Sequence, residues 1–279
     1  MKCPVCGGEQ WINVYAGPVR DGAIARVHRS ILECNDCSIQ RLDKFYDQSN
    51  YETGAYREDL NEFEWDYEYH DIVQKHILRE LPSMRGKAVV EVGAGKGSFL
   101  DMVSGVASEV IAVEPNRKYR NMSYKVYSYA NEVMELADVV VSADVIEHTE
   151  NPVEFMEDLR KLLNIGGRMY VVTPNREEIL FKLLPAYKSF RYQTAHNWYF
   201  DRDSLWNCAN KAGLEIKDLR TIHRRGISNT FGWLLEKEPV GDKKYPFLTG
   251  QIDDLWRLYL EREGLGEALL IECGRRENG

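Results

Sequence analysis

The chain has 279 residues and contains no apolar run long enough to cross a membrane. Behind Met1-Lys2-Cys3-Pro4 there is no signal-peptide core. No internal repeat and no low-complexity tract interrupts the chain, which argues against solenoids and disordered linkers. Positive charge is not in excess. Lysine and arginine number 36 against 44 aspartates and glutamates, a formal net charge of -8, and the pI is about 5.4. That balance removes the general attraction on which nucleic-acid binding leans. One basic cluster, Arg220, His223, Arg224 and Arg225, is expected to be a solvated loop. What is present is ordinary for a globular protein, 44% hydrophobic and 29% charged residues. The length fits one large domain, or one domain with a small appendage, and the cytoplasm is the expected location.

Disulfides are not expected there, yet six cysteines occur. Four of them stand as two C-x-x-C pairs, Cys3/Cys6 and Cys34/Cys37. Each pair can clip one side of a tetrahedral ion, and Gly7 permits a tight turn that aims backbone N–H groups at sulfur. Four sulfurs with no open position describe a structural zinc site. Strand-like patches at 10–15 and 24–32 between the pairs complete a zinc-ribbon layout over residues 1–42. So small a unit would draw its folding energy from the metal. Cys208 and Cys273 have apolar neighbours and read as buried fillers.

The most informative stretch is Val89-Val90-Glu91-Val92-Gly93-Ala94-Gly95-Lys96-Gly97. A β-branched run ends on an acid and is followed by glycines at alternate positions, as in a buried parallel strand leading into a turn where backbone approaches a ligand. The spacing is G-x-G-x-G and not the G-x-G-x-x-G of dinucleotide sites. Glu91 suits a ligand carrying a cationic amine better than a pyrophosphate. A second strand, 110–114, ends at Glu114, which lies 23 positions after Glu91, near the spacing at which an acid meets ribose hydroxyls.

The remaining pattern alternates strands and helices. A helix is expected over 63–81, and a helix starting at Phe99 follows the strand 88–92. A short strand is expected within 124–129, and ADVVVSA (137–143) is a buried strand ending at Asp144. Asn151-Pro152-Val153-Glu154 is a helix start, with Phe155, Leu159, Leu162 and Leu163 as its buried stripe. Strands over 168–173, 214–222 and 268–273 and a helix over 204–212 follow, with an aromatic insertion at about 223–267. The expected fold is α/β, a Rossmann-like, seven-stranded, mostly parallel sheet with helices on both faces, plus the small zinc ribbon. Residues 43–85 read as a helical linker or lid, and 86–279 as the ligand-binding domain.

Glycine turn, Glu91 and Glu114 together resemble motif I and its partner acid in the class I S-adenosylmethionine (SAM) methyltransferases. Residues 137–174 add to the resemblance through Asp144-Val145-Ile146-Glu147-His148, Asn151-Pro152 and the segment 162–167. The resemblance implies SAM across the carboxyl ends of the strands. Glu91, Gly93, Ala94, Gly95 and Gly97 would border its methionine part, Glu114 and Pro115 its ribose, and Asp144 and Val145 the methionine end. Asn131 would approach adenine. With a four-cysteine ribbon in front, the order resembles sugar C-methyltransferases acting on nucleotide-linked deoxysugars. Tyr192-Gln193-Thr194-Ala195-His196-Asn197-Trp198-Tyr199-Phe200 resembles their active-site segment, in which a histidine acts as base. Two departures favour oxygen over carbon as the methylated atom. The spacing from Tyr192 to His196 is one residue longer, and the chain ends just after its last strand.

The implied function is SAM-dependent methyl transfer to a sugar, nucleotide-sugar, glycan or secondary metabolite. His196 is the first candidate for the base and His148 the second, because imidazole can accept a proton near neutral pH. Tyr46, Tyr51, Tyr56, Tyr67 and Tyr69 could close over the acceptor with the aromatic insertion. Rival readings are an RNA methyltransferase and a non-catalytic SAM-binding scaffold.

Overall fold

The computed structural model describes residues 1–22, 25–53, 65–120, 123–239, 245–248 and 250–276. Two sheets organise them. The larger contains β4 (Ala88–Val92), β5 (Glu109–Val113), β6 (Lys125–Tyr127), β7 (Ala137–Ala143), β8 (Leu163–Pro174), β10 (Leu214–Ile222) and β11 (Ala268–Arg275). Their spatial order is β10-β11-β8-β7-β4-β5-β6. β4 to β8 run parallel to their neighbours, β11 runs antiparallel to β8, and β10 antiparallel to β11. This is a Rossmann-like fold with a seven-stranded, mostly parallel sheet.

Alternation along the strands feeds two cores. Val89, Val139, Val141, Val172 and Leu270 face one side, under α2 (Trp65–Glu80) and α3 (Ser98–Val103), where they meet Val73, Ile77, Phe99 and Leu100. Val90, Val92, Val140, Val171 and Ile271 face the other, under α4 (Pro152–Lys161) and α7 (Arg202–Lys211), with Met156, Leu159, Leu205 and Cys208. A parallel sheet buried on both faces is why these strands read as continuous apolar runs.

The smaller sheet is antiparallel, in the order β1 (Trp11–Asp21), β2 (Ala25–Cys34), β3 (Gln40–Leu42), β9 (Trp198–Tyr199). Its last strand therefore comes from the body of the chain. Gln40 pairs with Tyr199 and Arg41 with Trp198. Cys3, Val5, Cys34, Ile39 and Trp198 belong to the same buried cluster as the α4/α7 side of the large sheet. Val19, Ile31 and Leu42 pack on the short helices α5 (Ile179–Leu183) and α6 (Pro185–Arg191) through Leu180, Phe181 and Tyr187.

Many expected elements are present. β4, β7 and β10 have the bounds read from the sequence. Asn151 caps α4 by accepting from the Val153 and Glu154 N–H groups, with Pro152 at the first turn. The expected stripe on α4 is corrected: Met156 is fully buried whereas Phe155 is half-buried, the helix ends at Lys161 with Leu162 as its cap, and the buried Leu163 starts β8, five residues before the expected strand start at 168. β1 runs six residues further than expected, to Asp21. The expected helix start at Phe63, the break at Gly54, the patch start at Ile24, and Tyr56 lie outside the described residues, as do the side chains of Tyr67 and Tyr69. The insertion carries two helices, α8 (Ile227–Glu236) and α9 (Gly250–Arg262). A short helix α1 (Ser49–Thr53) lies between β3 and α2.

Candidate active site

The carboxyl ends of β4 and β7 open onto a cavity, the place where open α/β sheets take ligands. Its wall includes Gly93, Ala94, Gly95, Lys96, Ser98, Asp144, Glu147, His148, Arg191, Gln193, His196 and Arg224, with Val73 and Gln74 of α2. The glycine turn and both candidate histidines thus border one space.

Gly93, Gly95 and Gly97 all have positive φ, at 82°, 55° and 88°. Gly93 is also boxed in. A Cβ there would sit 2.2 Å from Val145 Cγ2, while one on Gly95 meets nothing within 4 Å. The Gly93 and Ala94 N–H groups donate to the Val113 carbonyl, which holds the turn against β5. Glu114 is buried behind it, accepting from the Gly95 N–H at 2.7 Å and the Asn116 N–H at 2.8 Å. Pro115 is half-buried beside it, and Asn131 is exposed on a 3-10 turn, Ala130–Glu132.

Glu91 is 1% exposed, and its Oε2 has no hydrogen-bond partner among the described residues. Burial, then the nearby Glu114 carboxylate, pushes its carboxyl well above the usual range. A buried, orphaned carboxylate is stabilised by a cation, so the residue suits a ligand bearing a protonated amine. Asp144 directly follows β7 at φ 54°, a left-handed conformation that aspartate tolerates better than most residues.

At the opposite wall, Ile146–His148 forms a 3-10 turn. Asn197, fully buried, ties this turn to the small sheet. Its side-chain amide donates to the His148 and Thr149 carbonyls, and its side-chain carbonyl oxygen accepts from the Tyr46 N–H. Its backbone N–H donates to the Glu147 carbonyl, and its backbone carbonyl accepts from the Leu42 N–H. The His148 and His196 rings meet edge to face, 4.7 Å between centroids. His148 Nδ1 lies 2.7 Å from the Ala195 carbonyl and 2.8 Å from the Tyr51 hydroxyl, so one tyrosine of the expected lid reaches the histidines. Burial, then the neighbouring His148 ring, holds His196 well below the usual histidine range, so its imidazole is neutral at pH 7.

Four residues that matter here are not singled out by the sequence. Glu147 is 1% exposed, and burial, then Asp144, pushes its carboxyl up to about 8. Gln193 bonds His196 Nε2 through its amide nitrogen while its carbonyl accepts from Arg20 Nη2 at 2.5 Å. Arg20 belongs to β1, so the ribbon hairpin reaches the histidine cluster. Arg191, at the end of α6, donates to Glu178 at 2.9 Å. Glu147 and Gln193 stand within the motifs named above, but nothing in the sequence brings Arg20 or Arg191 to them. The basic cluster is corrected in part: the Arg224 side chain is 9% exposed and engaged in ion pairs rather than solvated. It pairs with Glu267 at 2.7 Å and Asp144 at 3.5 Å, and His223 is buried beside it. Burial alone would raise the Glu267 carboxyl, but Arg224, His223 and Arg225 overcome it and hold it well below the usual range.

In the ribbon, Cys3 Sγ lies 3.6 Å from Cys37 Sγ, and Cys6 Sγ lies 3.5 Å from Cys34 Sγ. All four sulfurs fall within 4.8 Å of one another. Tetrahedral zinc with bonds of ~2.3 Å needs sulfurs about 3.8 Å apart, so the donor set fits that ion. The separations are too long for disulfides. Gly7 and Ser38 stand at equivalent places after the two pairs, both with positive φ, 84° and 60°. Cys208 and Cys273 are fully buried, as expected.

The family model described as "Methyltransferase domain" matches residues 65–219, more than half of the chain. Ubiquinone biosynthesis O-methyltransferase of Cereibacter sphaeroides (strain ATCC 17029) is 27% identical over 182 residues, 57% of this chain and 70% of that protein. The Aliivibrio fischeri (strain ES114) protein of the same name is 21% identical over 177 residues, 56% of this chain and 76% of that protein. Among solved structures, a SAM-dependent methyltransferase of Thermotoga maritima, described as a possible histamine N-methyltransferase, superposes with a TM-score of 0.54 at 18% identity. That match covers 81% of this chain and 100% of that chain. A SAM-dependent methyltransferase of Archaeoglobus fulgidus gives 0.50 at 16%, covering 73% and 93%. The structural likenesses speak for the fold. With the glycine turn that follows β4 inside the matched region, the chain belongs to the methyltransferase-domain family and is a SAM-dependent methyltransferase.

Proposed function

We propose that this enzyme methylates a hydroxyl oxygen of a small molecule, with His196 accepting the proton. The reading is carried by one observation: the glycine turn of β4 and the His148/His196 pair border the same cavity. When bound, SAM supplies a methyl group on a positively charged sulfur. Gly93, Ala94, Gly95, Gly97, Asp144 and Val145 would hold its methionine end, Glu91 would face its amine, and Glu114 and Pro115 would lie toward its ribose. His196 is neutral at pH 7 and borders the cavity, which makes it the first candidate for the proton acceptor, with His148 the second. Oxygen as the acceptor atom is supported by the relatives named O-methyltransferases. A sugar, nucleotide-sugar, glycan or secondary metabolite is supported by the ribbon and by the resemblance of residues 192–200 to sugar methyltransferases. Such an acceptor would make this an enzyme of carbohydrate biosynthesis.

In this reading residues 1–42 are a zinc-ribbon module held by Cys3, Cys6, Cys34 and Cys37, residues 43–85 a linker or lid, and residues 86–279 the SAM-binding domain. Among the described residues no helix is long and apolar enough to cross a membrane. Four cysteines arranged for an ion favour a reducing compartment such as the cytoplasm. The test has two parts. Calorimetric titration should show micromolar SAM binding and none of a nicotinamide dinucleotide. Turnover on pools of nucleotide-sugars and of phenols should then be abolished in His196→Ala while SAM binding survives. Near-wild-type turnover in that variant removes His196 as the base.

A further inference from the structure

We propose that Glu147, His148 and His196 form a binding site for a divalent first-row transition cation at the acceptor end of the cavity. The inference rests on the reading that this cavity takes the acceptor, and it reassigns how the acceptor's proton is lost. Glu147 Oε1 lies 3.9 Å from His148 Nε2 and 3.9 Å from His196 Nε2. The three ligand atoms all fall within 4.8 Å of one another.

The protonation pattern makes each of them a lone-pair donor. The Ala195 carbonyl can only accept, and His148 Nδ1 lies 2.7 Å from it, so the proton sits on Nδ1 and the lone pair on Nε2. The Tyr51 hydroxyl donates to the same carbonyl at 3.0 Å. This is the backbone anchoring that orients ligating histidines elsewhere. Gln193 has its carbonyl taken by Arg20, so it presents its amide N–H to His196 Nε2, which must accept. Glu147 is held at Oε2 by the Thr173 hydroxyl at 3.0 Å. Its Oε1 is buried with no hydrogen-bond partner among the described residues. A carboxyl oxygen and two imidazole nitrogens thus converge on one space, a donor set that a cation would satisfy.

Two imidazoles and one carboxylate are a donor set for first-row cations that leaves further positions open. Bonds of ~2.1 Å place neighbouring ligands about 3 Å apart. The site must therefore tighten by about 1 Å, and the Gln193 amide must yield its place at His196. The open positions lie on the cavity side, where an acceptor hydroxyl can enter. There the O–H bond breaks with the electron pair left on oxygen and the proton passed to water, and His196 serves as ligand in place of base.

The probe is Mn2+, which thiolate sites bind poorly, added to the full-length chain already holding zinc in its ribbon and followed by electron paramagnetic resonance of the free ion. One Mn2+ per chain at micromolar affinity is expected, weakened at least about tenfold in Glu147→Gln and in His148→Ala. SAM titration of the same variants, unchanged within about twofold, establishes that they are folded. No Mn2+ bound by wild type up to about 1 mM, or wild-type Mn2+ affinity in both variants, overturns the metal site and leaves His196 as a base. Failure of wild type to bind SAM is a separate result, and it overturns the functional reading instead.

Discussion

Two glycines with the same backbone demand differ in what surrounds them. Both Gly93 and Gly95 hold positive φ, but of the two only Gly93 faces a wall, with Val145 Cγ2 2.2 Å from the place a methyl group would occupy. Gly95→Ala should therefore carry only the left-handed strain of about 1 kcal/mol and weaken SAM binding by roughly tenfold or less. Gly93→Ala should abolish binding in the same calorimetric titration, because strain and overlap act together. His223 gives a pH prediction. Burial holds its imidazole below the ordinary 6.5, with Glu267 opposing and Arg224, Arg225 and Arg257 adding to the effect. A depressed pKa means that the folded state binds its proton less readily than the unfolded chain. The associated stability is present above pH 6.5 and is lost as pH falls through the folded value, with the depressed Glu267 adding to the loss below 4.5. Acidification from about pH 7.5 to 5.5 should lower the thermal unfolding midpoint of wild type relative to that of His223→Asn, since the raised carboxyls of Glu91 and Glu147, which act in the opposite direction, are common to both. The sequence displays the glycines because their spacing is local. It does not display the burial of His223 or the ion pairs of Arg224, since these depend on Glu267 arriving from the far end of the insertion.

Elements defined by their own residues are the legible ones. β4, β7 and β10 announce themselves by β-branched runs, and α4 by Asn151 and Pro152. Asn151→Ala should lower stability by about 1 kcal/mol in chemical denaturation, through loss of the acceptor for two orphan N–H groups. β9 is not legible, because two residues become a strand only beside β3. Its Trp198 is fully buried, donates to the Thr149 carbonyl at 2.9 Å and meets Phe45 edge to face. Nor is the reach of β1 into the site. Arg20 lies over the Phe190 ring, 4.7 Å from its centroid, and fixes the amide of Gln193. Arg20→Ala should lower kcat roughly tenfold or more, with SAM affinity unchanged, because the lost orientation lies at the acceptor wall and not at the glycine turn.

At the scale of the molecule, the division between ribbon and catalytic body is less sharp in space than along the chain. Cys3 and Cys34 lie in the core cluster that backs α4 and α7. Cys6 is the exposed member of the four sulfurs, so Cys6→Ser removes a ligand without opening a cavity. That variant should hold no ribbon zinc and show the hairpin open to limited proteolysis. It should lose turnover while retaining SAM, since β3 can no longer align β9 and the histidine segment. The sheet order is readable from the alternation of elements, and the coupling of the two sheets is not, because it runs through pairings between residues far apart in sequence. That coupling bears on the order of events during synthesis. Residues 1–42 leave the ribosome well before Trp198 and Tyr199, so the edge of β3 waits for a strand that is translated much later. Through that interval a nascent chain carries an open strand edge, a template for wrong partners. The closing of that edge marks the moment at which the histidine wall of the cavity first exists.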